Sequence, residues 1–166
     1  SLMNSILSYA KPLENRLKPL NLDLLMKDVI EKWEAKFSRN NIKIVYQCEE
    51  NLPEISGDIR SLEQVFTNLI SNAVEVMKQQ GGGTLAIKIE KVDPKLIRVS
   101  VSDTGPGIPA EILKNLFTPF VSFSLQGTGL GLAICKEIIA AHNGEISVES
   151  FPGGTVFYIM LPIINK

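Results

Sequence analysis

Apolar residues recur at two spacings along this chain, and the spacing changes several times. Between residues 2 and 18, Leu2, Ile6, Tyr9 and Leu13 fall three or four positions apart, a helical spacing that Pro12 and Pro19 disturb. In "NLDLLMKDVIEKWEAKF", Asn21 or Asp23 is suited to cap a helix with Leu24, Val29, Trp33 and Phe37 along one side. The period then drops to two in "IKIVYQC", which predicts a strand. A further helix is expected from about Ile59 to Met77. "GGG" at 81–83 reads as a turn before a strand over 84–91, and Ile97, Val99 and Val101 alternate in the next strand. A third helix is expected from Leu130 to about Ala141, ending at "HNG". Two strands close the chain, "GEISVESF" and "GTVFYIMLP", with "PGG" as their turn. Helices and strands mix without regular βαβ alternation, which points to a two-layer α+β sandwich.

Composition narrows the class. At 166 residues the chain suits one domain with a substantial core. It is 45% hydrophobic and 21% charged, as in soluble globular proteins, and no apolar run reaches membrane-spanning length. A net charge of −1 gives no basic footprint for nucleic acid. Cys48 and Cys135 lie far apart without metal-ligand spacing and read as reduced thiols, as in a cytosolic protein.

Three stretches carry candidate chemistry. On the helix 59–77, Leu62, Val65, Phe66, Leu69, Ala73, Val76 and Met77 form a core face, and Gln64, Asn68, Asn72 and Glu75 a second stripe beside it. Asparagine is a poor interior helix residue, so a pair at i and i+4 is either a solvated face or is used. A carboxamide oxygen can ligate a hard cation, and its NH₂ can donate to phosphate. In "VSDTGPGIP", Asp103 continues the alternation of Val99 and Val101 and so points to the buried side, where a carboxylate needs a donor. Gly105 and Gly107 follow in a turn that lets a ligand lie against the backbone, and Pro109 suits the first turn of a short helix. An Asp ending a strand in an ordinary turn is the plainer reading. In "LQGTGLGLAICKEI", Gly127, Gly129 and Gly131 precede a helix whose N-terminal amides favour an anion. The spacing fits neither a dinucleotide fingerprint nor a P-loop.

Taken together and in this order, these stretches resemble the catalytic ATP-binding domain of sensor histidine kinases, in the superfamily shared with gyrase, ninety-kilodalton heat-shock chaperones and mismatch-repair ATPases. "NLISNAVEVM" resembles the family's N box, "DTGPGIP" its first glycine box and "LFTPF" its phenylalanine box. "GTGLGL" resembles the second glycine box and "GGTVF" the last. The resemblance covers about residues 21–162, and "LFTPF" followed by "GTGLGL" is specific to the kinase branch. It implies an α+β, two-layer sandwich of Bergerat type, a mixed sheet of about five strands on about three helices with a short ATP lid. It further implies that Asn72 coordinates Mg²⁺ and that Asn68 lies near the phosphates of ATP. Asp103 would accept from the adenine amine, Gly105, Gly107 and Ile108 would pack on the base, and Thr155 would bond to Asp103 or its water. Phe117 and Phe120 would anchor a lid over residues 117–127, expected to be mobile without nucleotide. Gly127, Thr128, Gly129, Leu130, Gly131 and Leu132 would carry backbone amides to the triphosphate.

Three departures from the family pattern stand out. Glu75 sits where many members carry Lys or Arg, and Ser124 where the lid often has Lys. The phosphoacceptor is also missing: the single histidine, His142, reads as a helix C-terminal residue. Residues 1–20 are therefore expected to be the end of a dimerisation helix or a linker, and residues 21–166 the ATP-binding kinase domain. The resemblance implies transfer of the γ-phosphoryl group to a histidine of a separate dimerisation domain in a two-component sensor kinase. The implied partners are that domain and a cognate response regulator, in a cytoplasmic setting. A homodimer is expected for the full-length protein and a monomer for this chain alone. The competing readings are a nucleotide-binding switch module and an anti-sigma-type serine kinase.

Overall fold

The computed structural model describes residues 16–118 and 131–164. In chain order the elements are β1 (Lys18–Leu20), α1 (Leu22–Arg39), β2 (Ile42–Cys48), β3 (Ile55–Gly57), α2 (Ile59–Gln79), β4 (Gly83–Asp93) and β5 (Leu96–Asp103). They continue with α3 (Ala110–Leu113), α4 (Gly131–Ala141), β6 (Glu145–Phe151) and β7 (Gly154–Pro162). Five strands form one sheet in the order β2-β4-β5-β7-β6. β2 runs parallel to β4, and the other neighbours are antiparallel, so the sheet is mixed as expected. β1 and β3 form a separate antiparallel ribbon.

The two layers follow from the strand periodicity. On β5, Ile97, Val99, Val101 and Asp103 are buried, while Arg98, Ser100 and Ser102 are half-exposed. The buried face continues through Leu85, Ile87 and Ile89 on β4 and Phe157, Ile159 and Leu161 on β7. The helices cover it with Leu62, Val65, Phe66, Leu69 and Met77 from α2 and Leu132, Cys135, Ile138 and Ile139 from α4. The opposite face stays polar, with Arg98 paired to Glu90 at 3.2 Å and lying over the Tyr158 ring. Such one-sided burial is typical of a largely antiparallel sheet.

Three sequence readings change. Leu24, expected on the buried side of α1, is 64% exposed, and Leu22, Leu25, Met26, Val29, Ile30 and Phe37 form the buried side. The cap is Asn21, whose Oδ1 accepts from the Leu24 amide at 3.1 Å, so the first turn begins at Leu22. On α2 the buried surface also takes in Ile70 and Val74, because α1 packs on that flank, whereas Val76 is half-buried. The helix expected over residues 2–18 does not reach its end: Arg16 is in a turn, Lys18 starts β1, and the rest of that stretch lies outside the described residues.

His142 closes the far end of α4. It is buried, its Nε2 accepts from the Asp58 amide at 3.0 Å, and its Nδ1 donates to the Ile138 carbonyl at 2.8 Å. The ring therefore ties the end of α4 to the start of α2 in its neutral form, as its reading as a helix-end residue requires. Burial holds its pKa below the ordinary value, with the Ile138 bond opposing.

Candidate functional site

Where β5 ends, three polar side chains share one rung of the sheet. Asp103 on β5 pairs with Thr155 on β7, and Thr155 pairs with Ser150 on β6. Directly opposed residues project from the same face, so all three point toward the helix layer. Asp103 and Thr155 are buried. The Thr155 and Ser150 hydroxyls lie 3.1 Å apart. Burial raises the Asp103 carboxyl pKa, and the Gly105 amide, donating to Oδ1 at 2.9 Å, pulls it back down.

The glycine turn after Asp103 is fastened at several points. The Ile108 amide donates to Ser150 Oγ at 2.6 Å. Thr104 Oγ1 accepts from the Thr84 amide, and its carbonyl accepts from Gln80 Nε2, both at 2.9 Å. A Cβ on Gly105 would lie 2.9 Å from Val76 Cγ2 and 3.0 Å from Asp103 Oδ1. Gly107 has φ +89°, and a Cβ there would meet the Phe151 carbonyl at 2.5 Å. Glycine is thus required at 107 by the backbone itself.

The asparagine stripe borders the same end of the sheet. Asn68 Nδ2 donates to the Gly131 carbonyl at 3.3 Å and approaches Cys135 Sγ at 3.7 Å, holding the first turn of α4. Burial pushes the Cys135 thiol up to about 12, so it stays protonated. Asn72 is half-buried one turn further along α2. Among the described residues, a Cβ on Gly131 would come nearest to Asn68 Nδ2, at 3.7 Å, an ordinary contact. Glu75 faces the α1 flank, in a shallow groove with Trp33, Lys36, Arg39 and Lys78.

Phe117 packs edge-on against Phe157, with ring centroids 6.3 Å apart. Leu132 is a core side chain. Phe120, Gly127, Thr128, Gly129, Leu130, Ser124 and most of the expected lid lie outside the described residues. Sequence reasoning missed Ser150 and Gln80. Ser150 was legible only as an outward or inward position of β6, because its partner Ile108 is distant in sequence and the register between β6 and β7 decides which side it faces. No cluster of three or more His, Cys, Asp or Glu side chains occurs among the described residues, and no described helix is long and apolar enough to cross a membrane.

Comparisons with known proteins agree with this geometry. Residues 57–165 match the family described as histidine kinase-, DNA gyrase B-, and HSP90-like ATPase. The chain is 41% identical over 160 residues to the sensory histidine kinase/phosphatase NtrB of Rhodobacter capsulatus, covering 90% of this chain and 45% of that protein. It thus spans less than half of that relative's length. Its fold matches the nucleotide-free catalytic domain of histidine kinase ThkA with a TM-score of 0.80 and 34% identity, covering 89% of this chain and 95% of that one. It also matches full-length ShkA in complex with AMPPNP with a TM-score of 0.84 and 29% identity, covering 99% of this chain and 36% of that one.

Proposed function

The chain belongs to the family of histidine kinase-, DNA gyrase B- and HSP90-like ATPases, and from that membership we propose that it binds ATP with magnesium and donates the γ-phosphoryl group to a histidine on a separate dimerisation domain. The observation that carries the proposal is the buried Asp103 carboxylate beside a turn where side chains are sterically excluded. One oxygen already accepts from Gly105, and an ionised carboxylate has acceptor capacity left for an exocyclic amine. Adenine offers that amine. Gly105 and Gly107 let the turn pack against Val76 and the Phe151 carbonyl, which fixes the backbone beside the Asp103 carboxylate.

The triphosphate would then run toward the N-terminal end of α4, where the helix dipole favours negative charge. Asn72 would supply an amide oxygen to magnesium, with phosphate oxygens filling other positions, which suits a cation that is rarely caged by protein alone. Magnesium supplies charge neutralisation on the phosphates. The chain's own contribution is positioning: Asp103 orients the base, Asn68 holds α4, and Phe117 fastens the polypeptide entering residues 119–130 to β7. The nucleophile and its base belong to the partner domain, and a response regulator would receive the phosphoryl group afterwards.

Calorimetric titration with Mg-ATP tests the binding step. The intact chain should bind, and Asp103→Asn should lose about 1.5–3 kcal/mol, as for one charge-assisted hydrogen bond. Equal affinities would remove Asp103 from base recognition.

A further inference from the structure

The rung that carries Asp103 does not end at Thr155. It continues to Ser150 on the edge strand β6, and Ser150 is the point at which the glycine turn returns to the sheet. The turn leaves β5 at Asp103, crosses β7, and is caught on β6 by the 2.6 Å bond from the Ile108 amide to Ser150 Oγ. The same hydroxyl contacts Thr155 Oγ1 at 3.1 Å and the Gly154 carbonyl at 3.4 Å. One side chain thus fixes both the far end of the turn and the hydroxyl beside Asp103. Phe151, its chain neighbour, packs its carbonyl against Gly107 so closely that no Cβ fits.

We propose that Ser150 is a positioning residue for base recognition: it sets the turn and the Thr155 hydroxyl so that the Asp103 carboxylate meets the amine of adenine. The inference rests on the ATP-binding reading above. It concerns the base and not the phosphates, because Ser150 lies at the Asp103 end of the sheet and holds no group of α2 or α4.

The test compares ATP with inosine triphosphate, which carries the same phosphates but has an oxygen where adenine has its amine. Affinities are measured by calorimetry for the intact chain and for Ser150→Ala, Ser150→Thr, Ser150→Cys and Asp103→Asn. Ser150→Ala should weaken ATP about tenfold and leave inosine triphosphate nearly unchanged, so that base discrimination falls. Ser150→Thr keeps the hydroxyl and should restore discrimination to within about twofold. Ser150→Cys, a weak acceptor, should fall between, and it supplies the answer if the alanine variant does not fold. Amide exchange at Ile108 should quicken in the alanine variant and not in the threonine variant. Equal losses for the two nucleotides, or unchanged discrimination in both the alanine and cysteine variants, would overturn the role of Ser150. If Asp103→Asn also left discrimination intact, the base-recognition reading itself would fail. If only Asp103→Asn abolished it, that reading would stand and the Ser150 inference alone would fall.

Discussion

At Asp103, burial opposes ionisation and a single amide, that of Gly105, eases it. The folded pKa lies above the ordinary carboxyl value of 3.8, so ionising this group is harder in the fold than in the unfolded chain. The resulting penalty is absent below 3.8, grows as pH rises through the interval up to the folded value, and is complete above it. Asp103→Asn keeps an acceptor for Gly105 and removes the penalty. The nucleotide-free variant should therefore melt at or above the temperature of the parent at pH 7, with the difference vanishing in acid, even as ATP affinity falls. A clear loss of stability at pH 7 would show that the carboxylate is structural. The opposite sign applies to His142, whose depressed pKa makes the neutral ring the native form. Its contribution is complete above the ordinary value of 6.5 and is lost as pH falls toward the folded value. Denaturant titrations should show stability dropping below pH 6.5 by up to about 1.4 kcal/mol per pH unit. His142→Gln should be less stable overall but lack that drop, and parallel pH profiles would contradict the lock. Asp103 was legible in the sequence because strand alternation assigned its side. The bond from Asp58 to His142 was not, since it joins residues 84 positions apart.

Among the elements, α2 and the glycine turn carry the proposed site. α2 was readable from its 3.6-residue period and its asparagine stripe, although its buried face is wider than one stripe because α1 covers a second flank. The ribbon of β1 and β3 was not readable. Its strands are three residues long, too short for a periodic pattern, and they exist because Lys18–Leu20 and Ile55–Gly57 find each other across the chain. The parallel pairing of β2 with β4 was likewise beyond the pattern, since alternation is blind to direction. Two outcomes belong to this scale. Asn72→Ala should weaken magnesium-dependent ATP binding more than binding measured in a chelator, and equal losses would make Asn72 a packing residue. Gly107→Ala places a Cβ 2.5 Å from the Phe151 carbonyl at positive φ. It should cost about 1–3 kcal/mol of stability in chemical denaturation, and a neutral effect would show that the turn shifts freely.

On the scale of the whole molecule, α2 links the parts of the proposed site: Val76 meets the glycine turn at Gly105, and Asn68 holds Gly131 at the start of α4. That link brings stretches about 30 residues apart in sequence to one helix. The single histidine stands apart from the proposed site, buried and with both ring nitrogens engaged at the opposite end of α4. In the proposed reading this chain holds the phosphoryl donor, and the acceptor histidine belongs to a separate dimerisation domain. The most direct measurement is therefore label transfer. The chain is incubated with γ-labelled ATP and magnesium, alone and with a separately prepared histidine-containing dimerisation domain from the same kinase. The account predicts acid-labile label on the added domain, none on this chain, and loss of transfer with Asp103→Asn. Acid-labile label on His142, or ATP binding with no transfer to the added domain, would contradict it.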